Sequence, residues 1–185
     1  KYAYFKQEIA EIISFLLSRL DIKTTLIGAE IIPGLELYGC YTREEVFTLV
    51  GRQTAEVKMQ GTASGSFNLP EHNAVLLFVT LNKSEKDFSP STQYKDYLIN
   101  DEYFHWQSKN TDSHYNSGGR KYIEQSQTGI KIILFVREEK KDGFGNTSPF
   151  HCFGLVDYVS SHDDFPMNVK WKLQKPAMAQ YLKAI

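Results

Sequence analysis

The stretch Ile130–Glu138, IKIILFVRE, decides how the rest of the chain reads. It is a short apolar run rich in β-branched and aromatic residues, opened by Gly129 and closed by charge, which is the pattern of a buried strand. KKDGFGNTSP (140–149) follows with two glycines, an Asn and a Pro, and FHCFGLVDYVSS (150–161) returns as a second strand. Strand, turn-rich loop and strand make a hairpin. The C-terminal half is therefore β-rich.

Working outward, AVLLFVTL (74–81) has the same composition and reads as another buried strand, preceded by a small, polar loop over Gly61–Asn73. In the polar, aromatic middle, Pro90 marks a loop, Tyr97–Ile99 starts a strand, Glu102–Ser108 alternates as a further one, and Ser117–Gln125 reads as a short helix. NVKWKL (168–173) alternates as the last strand, and Pro176 opens a C-terminal helix. Thr42 followed by Glu45 is a capping-box pattern for a helix over Arg43–Val50, stopped by Gly51. Phe5, Ile9, Ile12, Ile13, Leu16 and Leu20 recur at helical spacing, so Tyr4–Leu20 reads as an amphipathic helix. The expected division is 1–37, helix and irregular connection, and 38–185, the β-rich domain. The expected fold class is α+β: a curved, mostly antiparallel sheet or small β-barrel with flanking helices.

Composition narrows the function. Of 185 residues, 42% are hydrophobic and 23% charged, which argues against disorder. A net charge of −1 argues against a globally basic nucleic-acid binder and leaves only a local basic patch. Cys40 and Cys152 are far apart with no CxxC pairing, so no zinc site or disulfide framework is suggested, no cofactor is implied, and a reducing cytoplasm fits. No apolar run has the length of a membrane span, and the acids within the N-terminal apolar stretch are unlike a signal peptide. Aromatic residues make up 14%, more than a β core alone needs, because many gather between Tyr94 and Tyr122.

Three constellations carry candidate chemistry. In the first, Tyr94, Tyr97, Tyr103, Phe104, His105, Trp106, Gln107, Ser108 and Asn110 combine flat rings with amide and imidazole groups, as recognition of an extruded base requires. Strand alternation puts Phe104, Trp106 and Ser108 on one face and His105 and Gln107 on the other, so a pair of core rings with satisfied neighbours is the plain alternative. In the second, SGGRKY (117–122), two glycines before a helix could turn N–H groups toward a phosphate beside Arg120 and Lys121, with Tyr122 adjacent; an ordinary basic loop is the alternative. The third is the loop after AVLLFVTL, where Lys83, Ser89 and Thr92 suit phosphate contacts or a solvated turn. Asp96, Asp101, Glu102, His105 and His114 lie near one another in sequence but lack the spacing of a metal or acid–base site.

YTREE (41–45), VTLNKSEKDFSPST (79–92), Tyr94, Asp96-Tyr97, FHWQS (104–108), Arg120, Tyr122 and LFVRE (134–138) together resemble the DUF3427 family, over about Tyr38–Leu173. The resemblance implies a domain at the C-terminal end of bacterial superfamily 2 helicases, often behind a phospholipase-D-like nuclease domain, in restriction or phage-defence proteins. Its fold is expected to be similar to the small β-barrel readers of modified nucleic acid, of the PUA-like and SRA-like type. The expected function is non-catalytic reading of modified duplex DNA, at a base or a phosphorothioate, to direct an attached helicase or nuclease. A metal-dependent nuclease and a module that docks on the helicase core are the alternatives.

Overall fold

The computed structural model describes residues 5–9, 12, 32–54, 64–83 and 95–182. In chain order the strands are β1 (Cys40–Tyr41), β2 (Ser66–Leu69), β3 (Ala74–Asn82), β4 (Tyr97–Leu98), β5 (Tyr103–Gln107), β6 (Lys131–Glu139), β7 (Phe150–His162) and β8 (Asn168–Leu173). The helices are α1 (Arg43–Leu49), α2 (Ser117–Ile123), α3 (Gln125–Thr128) and α4 (Ala179–Leu182).

All eight strands join one sheet in the order β2-β3-β6-β7-β8-β5-β4, with β1 added on β7. The path ends at β2 and β4, which do not pair with each other. The architecture is thus α+β with an open sheet, and of the two expected forms the closed barrel does not occur among the described residues. The expected hairpin is present as β6 and β7, antiparallel, with register shifts at Leu134/Phe135 and at Tyr158/Ser160 on the β8 side that bend the sheet. Every described strand pairing is antiparallel except β3 with β6, which runs from Ala74↔Lys131 to Asn82↔Glu139. A parallel pair needs a long crossover. Here that crossover is the polar, aromatic middle of the chain, including β4, β5, α2 and α3.

The central strands read as unbroken apolar runs because both their faces are covered. Val75, Leu77 and Val79 of β3 and Ile132, Leu134 and Val136 of β6 pack with Phe104, Trp106, Tyr122 and Trp171. The alternate residues Leu76, Phe78, Ile133 and Phe135 pack with Val46, Phe47 and Val50 from α1 and its C-cap, and with Ile32 and Leu35. The capping box is formed: Glu45 N donates to Thr42 Oγ1 at 3.2 Å and Thr42 N to Glu45 Oε2 at 2.7 Å. Such a cap is worth about 1 kcal/mol, and it fixes the residue that follows Thr42, Arg43, at the first position of α1.

Within the expected loop Gly61–Asn73 the structure shows β2, which pairs with β3 through a turn closed by Asn73 at φ +46. Four residues with only Phe67 and Leu69 apolar are too few to display an alternation, which is why this edge strand reads as loop. Of the amphipathic helix expected over Tyr4–Leu20, residues 5–9 are helical, with Phe5 and Ile9 exposed, as is Ile12. The remainder lies outside the described residues. Among the described residues no helix is long and apolar enough to cross a membrane.

Candidate functional site

The face of the sheet that carries Phe78 and Phe135 does not end in apolar residues. Continuing along β3 and β6 in steps of two, the next positions are Thr80 and Arg137, which are partners in the parallel register. Arg137 is 8% exposed; its Nε donates to Thr80 Oγ1 at 2.9 Å and its Nη1 to Ser148 O at 3.0 Å. Its guanidinium carbon sits 4.2 Å from the centroid of Phe150. Arg43 comes to the same ring from α1, at 5.3 Å, and to Phe78 at 4.6 Å, with Nη1 donating to Ser64 O at 2.8 Å. Phe78 and Phe150 form the floor beneath them, edge-on to each other at 5.2 Å, with Phe78 stacked on the buried Phe135 at 4.9 Å. Burial, then the neighbouring Arg137 charge, pull the Arg43 guanidinium down to about 10. It stays protonated at neutral pH, so two like charges are held over one ring. Stacking of this kind offsets their repulsion by roughly 0.5–2 kcal/mol per contact.

The facing wall is the end of β5. Trp106, Gln107, Ser108 and Lys109 line it, together with the ion pair Lys83–Asp96 at 2.5 Å. Asp96 Oδ1 accepts from Gln107 N at 2.8 Å. Desolvation pushes the Asp96 carboxyl up, and the Lys83 charge opposes it. Lys140, Thr147 and Ser148 form the lip from the β6–β7 loop, and Thr42, Glu44 and Ser64–Ser66 close the other side. The cleft has a volume of about 730 Å³. Five cationic side chains line it against the carboxylates of Glu44 and Asp96, in a chain whose net charge is −1.

Five of the residues singled out by sequence meet at this cleft: Lys83, Asp96, Trp106, Gln107 and Ser108. Trp106 is largely a core ring, 4% exposed and edge-on to Tyr122 at 5.1 Å. Gln107 is held by two hydrogen bonds, accepting from Lys95 N at 2.7 Å and donating to Asn168 Oδ1 at 2.9 Å. Ser108 Oγ accepts from Met167 N at 3.0 Å. His105 and Tyr97 stack on each other at 4.6 Å, and neither lines the cleft, although Gln107 on the same face of β5 does. Asn110 is exposed and does not line the cleft. Ser89, Thr92 and Tyr94 lie outside the described residues.

The SGGRKY segment is built differently from a phosphate loop. Asn116 caps α2 by accepting from Gly119 N at 3.1 Å, so the side chain of the chain itself occupies that N-terminus. A Cβ on Gly119 would lie 2.1 Å from Ser113 O, and one on Gly118 2.5 Å from Asp112 Oδ1. The glycines are there for close packing of α2 on the preceding loop. Arg120 is exposed and paired with Glu124, Lys121 donates to Asn68 Oδ1 at 3.0 Å, and Tyr122 is fully buried, its hydroxyl pushed up by desolvation.

His105 and His114 are not brought together as an acid–base pair. His105 Nδ1 bonds Lys95 O at 2.8 Å. His114 instead lies between Asp164 and Ser161, with Nδ1 2.9 Å from Asp164 Oδ1 and Nε2 2.8 Å from Ser161 Oγ. Its backbone N donates to the same carboxylate at 2.7 Å and Tyr158 OH shares the Ser161 hydroxyl at 2.8 Å, so the group clasps the 109–116 loop to the β7–β8 turn. Among the described residues no three His, Cys, Asp or Glu side chains form a group that could hold a metal ion.

Sequence reasoning missed Arg43, Arg137, Lys109, Lys140 and the rings Phe78 and Phe150. One signal was available: a polar or charged residue on the buried alternation of a strand, Thr80 after Leu76 and Phe78, and Arg137 after Ile133 and Phe135, marks where the core gives way to a site.

The architecture and cleft define a mostly antiparallel α+β domain with a basic, ring-floored concavity. Residues 35–184 match the family described as domain of unknown function DUF3427, and the chain belongs to that family. No curated protein matches it. Among solved structures it is similar to "The 5-Hydroxymethylcytosine-Specific Restriction Enzyme AbaSI", with 15% identity, a TM-score of 0.42, and coverage of 94% of this chain. The chain spans 53% of that protein's length.

Proposed function

We propose that this chain is a non-catalytic DNA reader whose cleft receives one nucleotide, modified on its base or in its phosphate backbone. In this reading it directs a helicase and a nuclease carried elsewhere in the parent polypeptide, in restriction or phage defence in the bacterial cytoplasm. The observation that carries the reading is the composition of the cleft: five cationic side chains over an aromatic floor, in about 730 Å³. That volume falls in the usual range of about 300–1,000 Å³ for a small-molecule-sized ligand. Guanidinium and ammonium groups suit phosphate oxygens, while the rings of Phe78 and Phe150 suit the face of a base. Of the two carboxylates that line the cleft, Asp96 is engaged with Lys83 and Gln107 N, which leaves a metal-dependent nuclease only Glu44 to work with.

The test is equilibrium binding of the chain to three duplexes of one sequence: plain, with one 5-hydroxymethylcytosine, and with one phosphorothioate. A reader is expected to prefer one modified duplex, and to lose affinity with salt at a log–log slope of about −0.9 per phosphate contacted. Binding to none of the three, or a slope near zero, would count against the function.

A further inference from the structure

The β6–β7 loop carries a ring that the fold does not use. Phe144 is 94% exposed at its tip. The backbone around it is tied down: Asp142 Oδ1 accepts from Phe144 N at 2.9 Å and from Asn146 N at 2.8 Å, and Asp142 N donates to Asn146 O at 2.9 Å. Gly145 N donates to Asp142 O at 3.0 Å from a backbone at φ +86 that glycine adopts freely. Below the tip, Lys141 and Thr147 bridge the two arms. The hydrogen bonds from Asn146, Phe144 and Gly145 hold the Asp142 carboxyl below the usual carboxylate range. A tip ordered in advance gives up little conformational entropy on contact.

The same hairpin supplies Lys140, Thr147 and Ser148 to the cleft. Thr147 lies three positions after Phe144, so their backbones are at most ~11 Å apart. A stiff finger thus holds an exposed ring, with lysines at its base, beside a cleft of nucleotide size.

We propose that Phe144 is a wedge that enters the base stack of a duplex at the place vacated by the nucleotide in the cleft. The proposal rests on the reader function above. Taking a base out of a duplex costs a few kcal/mol of lost stacking, and apolar side chains inserted between base steps are a known means of holding duplexes open. Phe144 supplies the flat, apolar surface that the neighbouring bases lose. A single strand has no opposing stack to hold open, so the ring matters only for duplexes.

The experiment uses the 185-residue chain with Phe144→Ala and Phe144→Trp. The probe is whichever of the three duplexes binds the unsubstituted chain most tightly, with 2-aminopurine beside the marked position, and the marked strand alone for comparison. Phe144→Ala is expected to lose at least about tenfold in duplex affinity, to change single-strand affinity less than about twofold, and to abolish the 2-aminopurine fluorescence rise on binding. Phe144→Trp is expected to retain both. Equal losses on duplex and single strand, or no loss on the duplex, overturn the wedge and leave the reader function standing. If the unsubstituted chain binds none of the probes, the reader function falls and the wedge with it.

Discussion

Arg137 and Thr80 face each other across the parallel pair β3–β6, and the Arg137 Nε–H is satisfied by Thr80 Oγ1 at 2.9 Å. That bond orients a buried guanidinium over Phe150 and toward the cleft. Thr80→Val keeps the shape of the side chain and removes the acceptor. Loss of an acceptor for a buried, charged donor is expected to cost about 1–3 kcal/mol, read as a lower urea midpoint, with weaker DNA binding alongside. An unchanged midpoint would contradict the role assigned to this pair.

The ion pair Lys83–Asp96 has both side chains at least nine-tenths buried. Asp96→Asn retains an acceptor for Gln107 N and removes the charge opposite Lys83. Breaking one side of a buried pair is expected to cost about 3–5 kcal/mol, measured by chemical denaturation. Replacing both, Lys83→Met with Asp96→Leu, is expected to cost less than Asp96→Asn alone.

Gly119 separates two accounts of the SGGRKY segment. A phosphate-binding glycine would change affinity without changing stability. Packed as it is, Gly119→Ala forces a Cβ against Ser113 O, and overpacking of this sort is expected to cost roughly 1–3 kcal/mol. Thermal unfolding reads the difference.

The clasp at His114 has a pH signature. The His114 backbone N–H, then its imidazole, hold the Asp164 carboxyl below its usual range. A carboxyl depressed in the fold contributes stability that is present above its unfolded pKa, about 3.9, and is lost as pH falls through the lower folded value. The difference in urea midpoint between the native chain and Asp164→Asn is therefore expected to shrink as pH falls below about 4. A difference that stays unchanged from about pH 4 to about pH 2 would contradict the clasp.

The strands were legible where burial on both sides leaves an apolar run, as in Ala74–Leu81 and Ile130–Val136, or where one face alternates, as in FHWQS and NVKWKL. β2 was not legible, because a four-residue edge strand holds too few apolar positions to set a period. The parallel pairing of β3 with β6 is a property of topology that no local pattern encodes. Of the cluster around FHWQS, Trp106, Gln107 and Ser108 supply one wall of the cleft. The cationic half was hidden. Arg43 and Arg137 stand 94 positions apart in sequence and meet only because α1 packs across the face on which β6 ends. At SGGRKY, diglycine beside basic residues has the pattern of an anion site, and close packing of helix on loop selects glycine for the same lack of a side chain.

The central claim is that this cleft, and no other surface, holds DNA. Arg43 and Arg52 offer a matched comparison: Arg43 lies in the cleft, while Arg52 is a half-exposed surface residue paired with Glu71 and outside it. The decisive measurement is the dissociation constant of the preferred duplex for Arg43→Ala, Lys140→Ala and Arg52→Ala, with thermal unfolding of each recorded in parallel. The expected result is a loss of about 1–3 kcal/mol in affinity, roughly five- to 150-fold, for both cleft variants, and less than about twofold for Arg52→Ala. Affinity that survives both cleft substitutions in folded protein, or that falls equally for Arg52→Ala, would contradict the account.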